Sequence, residues 1–214
     1  MTEHPILMNG ESMRAILAGR KSQTRRVVRP QPPVCWKEPK YTVYRTWVNR
    51  ISDGTYIYVN DIPPSHATFP IGRCPYQVGQ ILWVRETWGA VWPGEDEVPT
   101  IRECEIEYRA DLPAGCTDYP GQWPAEDAIG CDDAPKWRPS IHMPRWASRV
   151  TLRITDVRVQ RVQEISAEDA TDEGIRSALA RVEFAELWDG INAKRGYLWA
   201  DDPWVWALAF EVVI

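Results

Sequence analysis

Apolar and polar residues alternate along several short segments, and this period of two residues predicts β-strands. In one such segment Val150, Leu152 and Ile154 lie on one face, and the alternation changes phase after Ile154. The change of phase predicts a bulge or a turn near Asp156. Further strands are predicted at residues 41–48, 55–59, 81–86, 104–110 and 203–213. Those at 81–86 and 104–110 are expected to be core strands.

Three helices are also predicted. Apolar residues on one helical face predict a helix over residues 11–18, and Gly19 follows where a left-handed residue commonly ends a helix. Ser166, with Asp169 three residues later, resembles a capping box and predicts a helix that ends at Gly174. A third helix, which stops at Arg195-Gly196, is predicted by the apolar stripe Phe184, Leu187, Trp188 and Ile191.

The order of these elements predicts an α+β fold. The strands lie before and after the helices without an evident βαβ repeat, which favours a small mixed or antiparallel β-barrel with helices packed against it. Residues 111–140 have no period and many turn-forming residues, so we expect a long loop over the fold. The length favours one domain over residues 1–214.

Composition limits the cellular locations and the binding partners that are expected for this chain. A net charge of -5 argues against a broad basic surface for nucleic acid, although it is compatible with a local basic pocket. No apolar run approaches the roughly 20 residues that span a bilayer. Because the N-terminal sequence also lacks a signal-peptide pattern, we expect a cytoplasmic protein without a membrane partner. The five cysteines form no C-x-x-C pair, so neither a metal site nor a disulfide framework is expected.

One basic segment, GRKSQTRR at residues 19–26, differs from the acidic remainder of the chain. Three interpretations are open: a solvated loop, as runs of charge usually are, a phosphate-binding loop, or a catalytic site. The third depends on Lys21 and Thr24, which a tight loop would bring within hydrogen-bonding distance. A neutral lysine can take the proton of a threonine hydroxyl and so activate it as a nucleophile.

This chemistry has three requirements. The pKa of Lys21 must fall by about 3 units from its usual value, through burial and nearby positive charge. Arg25 or Arg26 would supply that charge and a hydrogen bond to a developing oxyanion. A carboxylate from elsewhere in the fold must assist protonation of the leaving nitrogen.

Gly19, Lys21, Thr24 and Arg26 fit the pattern G-x-K-x-x-T-x-R, and in this the chain resembles the ASCH superfamily, whose β-barrel is similar to the PUA domain. Three further segments are similar to segments of the small bacterial ASCH enzymes that hydrolyse N4-acetylcytidine. This chain is longer than those enzymes, with insertions at about 30–75 and 87–148, and it resembles the longer phage-associated ASCH proteins. The three segments are YQVGQILWV (76–84), EISAEDATDEG (164–174) and VWALAFEVV (205–213).

The resemblance implies an amidohydrolase that needs no metal and no cofactor. It would cleave the N4-acyl amide of acylated cytidine or cytosine, releasing cytidine or cytosine and a carboxylic acid. The implied catalytic residues are Lys21, Thr24 and Glu173, in which Lys21 activates Thr24 and Glu173 assists proton transfer. Two alternatives stay open for Glu173. A neighbouring carboxylate can take its place, or these carboxylates form a solvated acidic helix start. The neighbours concerned are Glu168, Asp169 and Asp172.

Several further residues are candidates for substrate binding. Glu86 ends an apolar strand, where a carboxylate is costly unless it is paired or faces a cavity, so a salt bridge to a motif arginine and a substrate contact are both open. An aromatic residue can stack on a pyrimidine or belong to the core. The candidates for substrate binding are Arg26, Glu86, Trp137, His142 and Met143.

A binding module is the alternative function. In that hypothesis the basic segment grips RNA or a modified nucleotide, as PUA-like domains do, with ribonuclease activity in some relatives. A continuous basic groove from Arg20, Arg25, Arg26 and Arg29 would favour it. The expected partner is a small nucleoside substrate or RNA, and the sequence does not fix the oligomeric state.

Overall fold

The computed structural model describes residues 3–31, 46–50, 55–60, 67–91, 100–113, 116, 118–122 and 136–213. Over these residues the chain contains a multi-stranded sheet and few helices, so the predicted α+β class is confirmed. The predicted strand at 41–48 is described only from Thr46 onward, and residues 41–45 lie outside the described residues. Parts of both predicted insertions lie outside them as well.

Contacts within the chain divide it into two units. Unit 1 consists of Met1–Lys21, Gln80–Arg153 and Glu211–Ile214, and unit 2 consists of Ser22–Gly79 and Ile154–Phe210. The prediction of one domain over the whole chain stays a prediction.

Ten strands and three α-helices lie in the described part of the chain. The strands are β1 (Glu3–Leu7), β2 (Gln23–Val27), β3 (Thr46–Arg50), β4 (Thr55–Asn60), β5 (Ala67–Arg73), β6 (Ile81–Arg85), β7 (Trp88–Val91), β8 (Glu105–Tyr108), β9 (Thr151–Arg161) and β10 (Trp204–Val213). The helices are α1 (Gly10–Leu17), α2 (Ala167–Asp172) and α3 (Ala180–Asn192).

The largest sheet has the strand order β1-β6-β9-β10-β2, and the smaller sheets have the orders β3-β4-β5 and β7-β8. Over the described residues, β1 and β2 form the two edges of the largest sheet. No closed barrel is found among the described strands, and the sheet is compatible with the predicted barrel-like fold.

In unit 1, β6 has a parallel neighbour and an antiparallel one. β1 runs parallel to β6, from Glu3 opposite Ile81 to Leu7 opposite Arg85. β6 runs antiparallel to the start of β9, with Ile81 opposite Arg153. The sheet is therefore mixed, as the sequence predicts.

β6 and β8 differ in burial, although both were expected to be core strands. Leu82 and Val84 of β6 are buried, and their neighbours along the strand are half-buried. β8 pairs only with the short β7 among the described strands, and its Glu105 is exposed while Ile106 and Tyr108 are half-buried. The prediction of a core strand is therefore wrong for β8, because its alternating glutamates keep one face polar.

In unit 2, β2 and β10 form an antiparallel pair from Val27 opposite Val205 to Gln23 opposite Ala209. The strands predicted at 41–48 and 55–59 correspond to β3 and β4, and β5 joins them in one antiparallel sheet. The sequence analysis missed β5 because Pro70 lies within it and weakens the strand signal.

β9 also corrects the sequence analysis. The strand runs without a break through Asp156, so the predicted turn is absent from the described chain. Ile154 is buried, and beyond it Val157 and Val159 pack against the cluster that contains Tyr58. The change of phase thus occurs within one strand of eleven residues.

The helices begin and end near the predicted residues. The Ser166 hydroxyl accepts a hydrogen bond from the Asp169 N–H at 3.0 Å and caps α2. Gly19, Gly174 and Gly196 have φ values of 66°, 101° and 81°, in the left-handed region that ends a helix at little cost for glycine.

α3 packs its apolar face into unit 2. Phe184 and Trp188 are buried in a cluster with Val162, whereas Ile191, part of the predicted stripe, is 44% exposed. The predicted helix is therefore confirmed, but its buried face is narrower than the sequence pattern indicates.

Gln31 provides a first test of the fold. Its Nε2 donates to the carbonyl oxygens of Val28 at 2.8 Å and Trp204 at 2.9 Å, and its Oε1 accepts from the Trp204 N–H at 2.9 Å. We expect Gln31→Ala to lower the free energy of unfolding by about 1–3 kcal/mol, because it removes three partly buried hydrogen bonds at once. Urea unfolding measures the change. A loss below about 0.5 kcal/mol, the range of ordinary surface substitutions, would contradict this role.

Candidate functional site

The basic segment continues from the end of α1 into β2. The N–H groups of Arg20 and Lys21 both donate to the Ala15 carbonyl, at 2.8 and 3.2 Å, which fixes the exit from the helix. Lys21 is the last residue of the first segment of unit 1, and its side chain is buried at 4% exposure. Thr24 follows three residues later, in unit 2.

β2 itself is buried, so the interpretation as a solvated loop is wrong for its first three residues. Gln23, Thr24 and Arg25 are all less than 9% exposed. Successive side chains of a strand point to opposite faces, which puts Thr24 and Arg26 on one face of β2 and Gln23 and Arg25 on the other. The two faces have different chemistry.

On the first face, Arg26 binds Thr24. Its Nη1 donates to Thr24 Oγ1 at 2.9 Å and to the Arg25 carbonyl at 3.1 Å. Burial lowers the pKa of Arg26 from its ordinary value, the charges of Tyr76 and Glu173 oppose this, and the charge of Arg195 adds to it. Arg26 therefore lies within electrostatic reach of Glu173.

On the second face, Arg25 holds two carboxylates. Its Nη1 donates to Glu173 Oε1 at 3.1 Å and its Nη2 to Asp169 Oδ2 at 2.9 Å. Its side chain is 1% exposed, and its Cζ lies 5.6 Å from the centre of the Phe184 ring. Glu173 is buried rather than solvated, because it ends α2 directly beside this guanidinium.

Asp169 is the most highly connected carboxylate of this cluster. Besides Arg25, it accepts hydrogen bonds from Gln23 Nε2 and Arg158 Nη2, both at 3.0 Å. Burial acts to raise the pKa of Asp169, but hydrogen bonds from Arg158 and Gln23 and the nearby positive charges lower it overall. Asp172 accepts from Gln23 Nε2 at 2.9 Å. The alternatives to Glu173 thus have structural partners of their own.

Glu86 belongs to a separate cluster in unit 1. Its two carboxylate oxygens accept hydrogen bonds from Arg149 Nε at 2.9 Å and Nη2 at 3.1 Å. Arg149 also donates to both oxygens of Asp111 at 2.8 Å, and its Cζ lies 3.8 Å from the centre of the Tyr108 ring. The salt bridge considered for Glu86 is therefore present, but with Arg149 instead of a motif arginine.

Burial and hydrogen bonding act in opposite directions on the two charges of this cluster. Burial raises the pKa of Glu86 in spite of the hydrogen bonds that Arg149 donates to it. For Arg149 burial acts to lower the pKa, but the hydrogen bonds that it donates to Glu86 and Asp111 raise the pKa overall. One guanidinium thus serves a fully buried carboxylate and one that is 52% exposed.

The remaining candidates for substrate binding also lie in unit 1. Trp137 is half-buried, and its indole N–H donates to the Asp118 carbonyl at 2.8 Å. His142 is exposed at the end of a short 3₁₀-helix. Met143 is fully buried in a cluster with Trp88, and its sulfur accepts the Glu86 N–H at 3.4 Å. Substrate contact by these residues stays a prediction.

Sequence reasoning missed Arg149 and Arg195, and it missed that Arg25 binds carboxylates. The role of Arg25 follows from the alternation of β2, once the strand is known to begin at Gln23. The pairing of Arg149 with Glu86 follows only from the register of β6 and β9, which the sequence does not specify. Arg195 reaches Arg26 through the tertiary fold of unit 2, and no local pattern indicates this.

Over the described residues, no group of three or more histidines, cysteines and carboxylates could hold a metal ion. The described helices include none that is long and apolar enough to cross a membrane.

Comparisons with known proteins leave the family open. No protein-family model matches the sequence, and no curated protein matches it. Among solved structures the chain is similar to protein EF3133 of Enterococcus faecalis V583, which is assigned to the family DUF984. The identity is 12% and the TM-score 0.40, over 100% of this chain and 77% of that chain. A likeness at this level identifies neither a family nor an activity.

The contribution of the buried Arg25 to stability can be compared with that of the more exposed Arg158, because both arginines bind Asp169. Arg25→Met removes the buried cation from the buried Glu173 and leaves Asp169 with Arg158, and we expect the free energy of unfolding to fall by about 3–5 kcal/mol. Arg158→Met removes a side chain that is 43% exposed, and we expect a loss of about 0–1 kcal/mol. Equal losses in chemical denaturation would show that burial does not govern this cluster.

The lowered pKa of Asp169 predicts that the free energy of unfolding depends on pH. Its pKa is lower in the folded than in the unfolded protein, so the unfolded chain takes up the proton first as the pH falls. The stabilisation by this carboxylate is complete above the unfolded value near 3.9 and is lost as the pH falls through the folded pKa. Asp169→Asn should therefore be less stable than the wild type at pH 7, and the difference should shrink between about pH 5 and pH 2. A difference independent of pH in urea unfolding would contradict the assignment.

Proposed function

We propose that the protein is an ASCH-type amidohydrolase that cleaves the N4-acyl amide of acylated cytidine or cytosine without a metal ion. The observation that carries the proposal is the contact between the buried Thr24 and the half-buried Arg26, in which a guanidinium donates directly to the threonine oxygen. A structural strand residue at this position would need neither the hydroxyl nor the cation. The match to G-x-K-x-x-T-x-R supports the same assignment.

Arg26 prepares Thr24 for attack. A positive donor at 2.9 Å from Oγ1 stabilises the negative charge that develops on this oxygen when its proton leaves. Among the described residues, Arg26 is the group that hydrogen-bonds to the Thr24 hydroxyl, so the O–H is available to a base. Thr24 is 3% exposed, which keeps bulk water from competing for the nucleophile.

Lys21 is the proposed base. It lies three residues before Thr24 in the chain, and its side chain is 4% exposed. The amine must be neutral when it takes the proton, and burial favours the neutral form of a lysine. Lysine suits this role better than arginine, which stays protonated in proteins.

The reaction proceeds in two balanced steps. In the first, Lys21 takes the Thr24 proton, Oγ1 bonds to the acyl carbon, and the C–N4 bond breaks as the proton passes to N4. This releases cytidine and leaves the acyl group as an ester on Thr24. In the second, water cleaves the ester, which releases the carboxylic acid and restores the Thr24 hydroxyl.

Glu173 is the proposed carboxylate of the site. Arg25 holds it in a fixed position, and it lies within electrostatic reach of Arg26. From there it would orient the exocyclic nitrogen and assist the transfer of the proton to the leaving group. The proposal includes substrate contacts by Glu86, Trp137, His142 and Met143. The mechanism at Thr24 does not depend on these contacts.

A binding module for RNA or a modified nucleotide is the second candidate. The exposed cations Arg29 and Arg195 in unit 2 favour it. Arg25 does not contribute to a basic groove, because both of its Nη atoms donate to carboxylates. In this alternative Lys21 acts only through its charge.

Two substitutions, each by a residue of similar size, distinguish the amidohydrolase from the binding module. Thr24→Val keeps the shape of the side chain but removes the nucleophile, and Lys21→Arg keeps the charge but cannot act as a neutral base. We expect each to lower kcat for N4-acetylcytidine at least about 100-fold, and we expect turnover by the wild type to continue in EDTA. The loss of the acylated chromophore in the ultraviolet measures turnover.

Thr24→Ser is the matched control, because it retains the hydroxyl, and we expect measurable activity from it. Full activity of Lys21→Arg or Thr24→Val would refute the mechanism. Absence of turnover by the folded wild-type protein, with intact nucleotide binding, would favour the binding module.

A further inference from the structure

Unit 2 contains exposed basic side chains that form no ion pair with a described residue. Arg29 and Arg195 are exposed, and neither forms an ion pair with a described residue. Arg25 and Arg158, in the same unit, both bind Asp169. The contrast separates arginines that stabilise the fold from arginines that are available to a ligand.

Arg29 is held in place by an aromatic ring. Its Cζ lies 5.5 Å from the centre of the Tyr197 ring, within the range of a cation–π interaction, and the exposed guanidinium keeps its N–H groups accessible. Tyr197 is fixed in turn, because its carbonyl accepts from Trp188 Nε1 at 2.9 Å and its N–H donates to the Asn192 carbonyl at 3.3 Å. Arg29 is thus pre-oriented at little entropic cost.

Arg195 lies on the other side of the same turn. It ends a short 3₁₀-helix after α3, and Gly196, at φ 81°, reverses the chain between Arg195 and Tyr197. The charge of Arg195 contributes to lowering the pKa of Arg26, after the larger effect of burial. Arg195 therefore lies within electrostatic reach of the guanidinium that binds Thr24.

Such a group of cations suits a phosphate. Glu173 already offsets positive charge at Arg26, so a bound anion would interact chiefly with the exposed guanidiniums of Arg29 and Arg195. The planar donor fork of arginine matches two phosphate oxygens, and these charge-assisted hydrogen bonds are among the strong ones. A free nucleoside has no anionic group to occupy this position.

We propose that Arg29 and Arg195 form a subsite for the phosphate of an acylated cytidine nucleotide, next to the Thr24–Arg26 pair. The cytidine part of this substrate rests on the proposed function, whereas the phosphate rests on the contacts of Arg29 and the position of Arg195. The preferred substrate is then a nucleotide, either free or at the end of an RNA chain.

Binding of unacylated ligands tests the subsite without requiring turnover. Calorimetry with cytidine, cytidine 5′-monophosphate, cytidine 3′-monophosphate and a short cytidine-containing RNA would be recorded at low and high salt. The variants are Arg29→Ala, Arg195→Ala, Arg195→Lys and the double alanine variant. Arg181→Ala is the matched control, because it removes one exposed arginine from the same unit.

We expect the 5′-monophosphate to bind at least about tenfold more tightly than cytidine, with a preference that weakens at high salt. Both alanine variants should reduce the preference, the double variant should abolish it, and Arg195→Lys should retain part of it. Tighter binding of the 3′-monophosphate or the RNA, with the same losses, supports the subsite and identifies the source of its phosphate. Equal binding of cytidine and all phosphorylated ligands, or a preference that survives in the double variant, overturns it.

A second readout separates this proposal from the proposed function. The ratio of kcat/KM for N4-acetylcytidine 5′-monophosphate to that for N4-acetylcytidine should exceed about 10 in the wild type and fall toward 1 in the double variant. Turnover of both substrates with a ratio near 1 in the wild type overturns the subsite and leaves the function intact. Phosphate-dependent binding without turnover of either substrate overturns the function and supports the subsite.

Discussion

The buried guanidinium of Arg25 is the interaction on which unit 2 depends. It joins a residue in the middle of β2 to two carboxylates of the α2 segment, at 2.9 and 3.1 Å. A buried charge without a partner would cost several kcal/mol, so strand and helix must keep this relative position. The face of β2 that bears Thr24 and Arg26 is fixed by the same contacts, although Arg25 points away from it. A structural ion pair on one side of the strand thereby orients the side that bears Thr24 and Arg26.

The two described carboxylate clusters neutralise a buried carboxylate in different ways. Arg25 satisfies two carboxylates of low exposure and lies against the ring of Phe184. Arg149 connects the buried Glu86 to Asp111 at the surface, so one end of that network is hydrated. The first arrangement suits a rigid support for a reacting group. The second is typical of a core carboxylate whose charge is neutralised locally, and it accounts for the position of Glu86 at the end of an apolar strand.

Sequence reasoning locates the secondary-structure elements that have strong local signals. It does not predict side-chain partners that are set by long-range contacts. α1 with Gly19 and β10 were located from periodicity and turn residues alone, whereas β5 was missed because Pro70 and Gly72 obscure its alternation. At the candidate site, the motif indicated Thr24 as a candidate nucleophile and Arg26 as its neighbour. It did not indicate that Arg25 would bind carboxylates, because that depends on how α2 packs on β2. Arg195 is more than 160 residues from Arg26 in sequence, and only folding relates them.

The path of the chain through the two units has a practical consequence. The chain passes from one unit to the other at four places, and β9 and β10 each contain one of these crossings. No contiguous fragment therefore contains either unit alone, and truncation at any residue between 22 and 210 would remove part of both. The roles of the units have to be separated by point substitutions in the intact polypeptide, and recombination between related genes at a single crossover would exchange pieces of both units together.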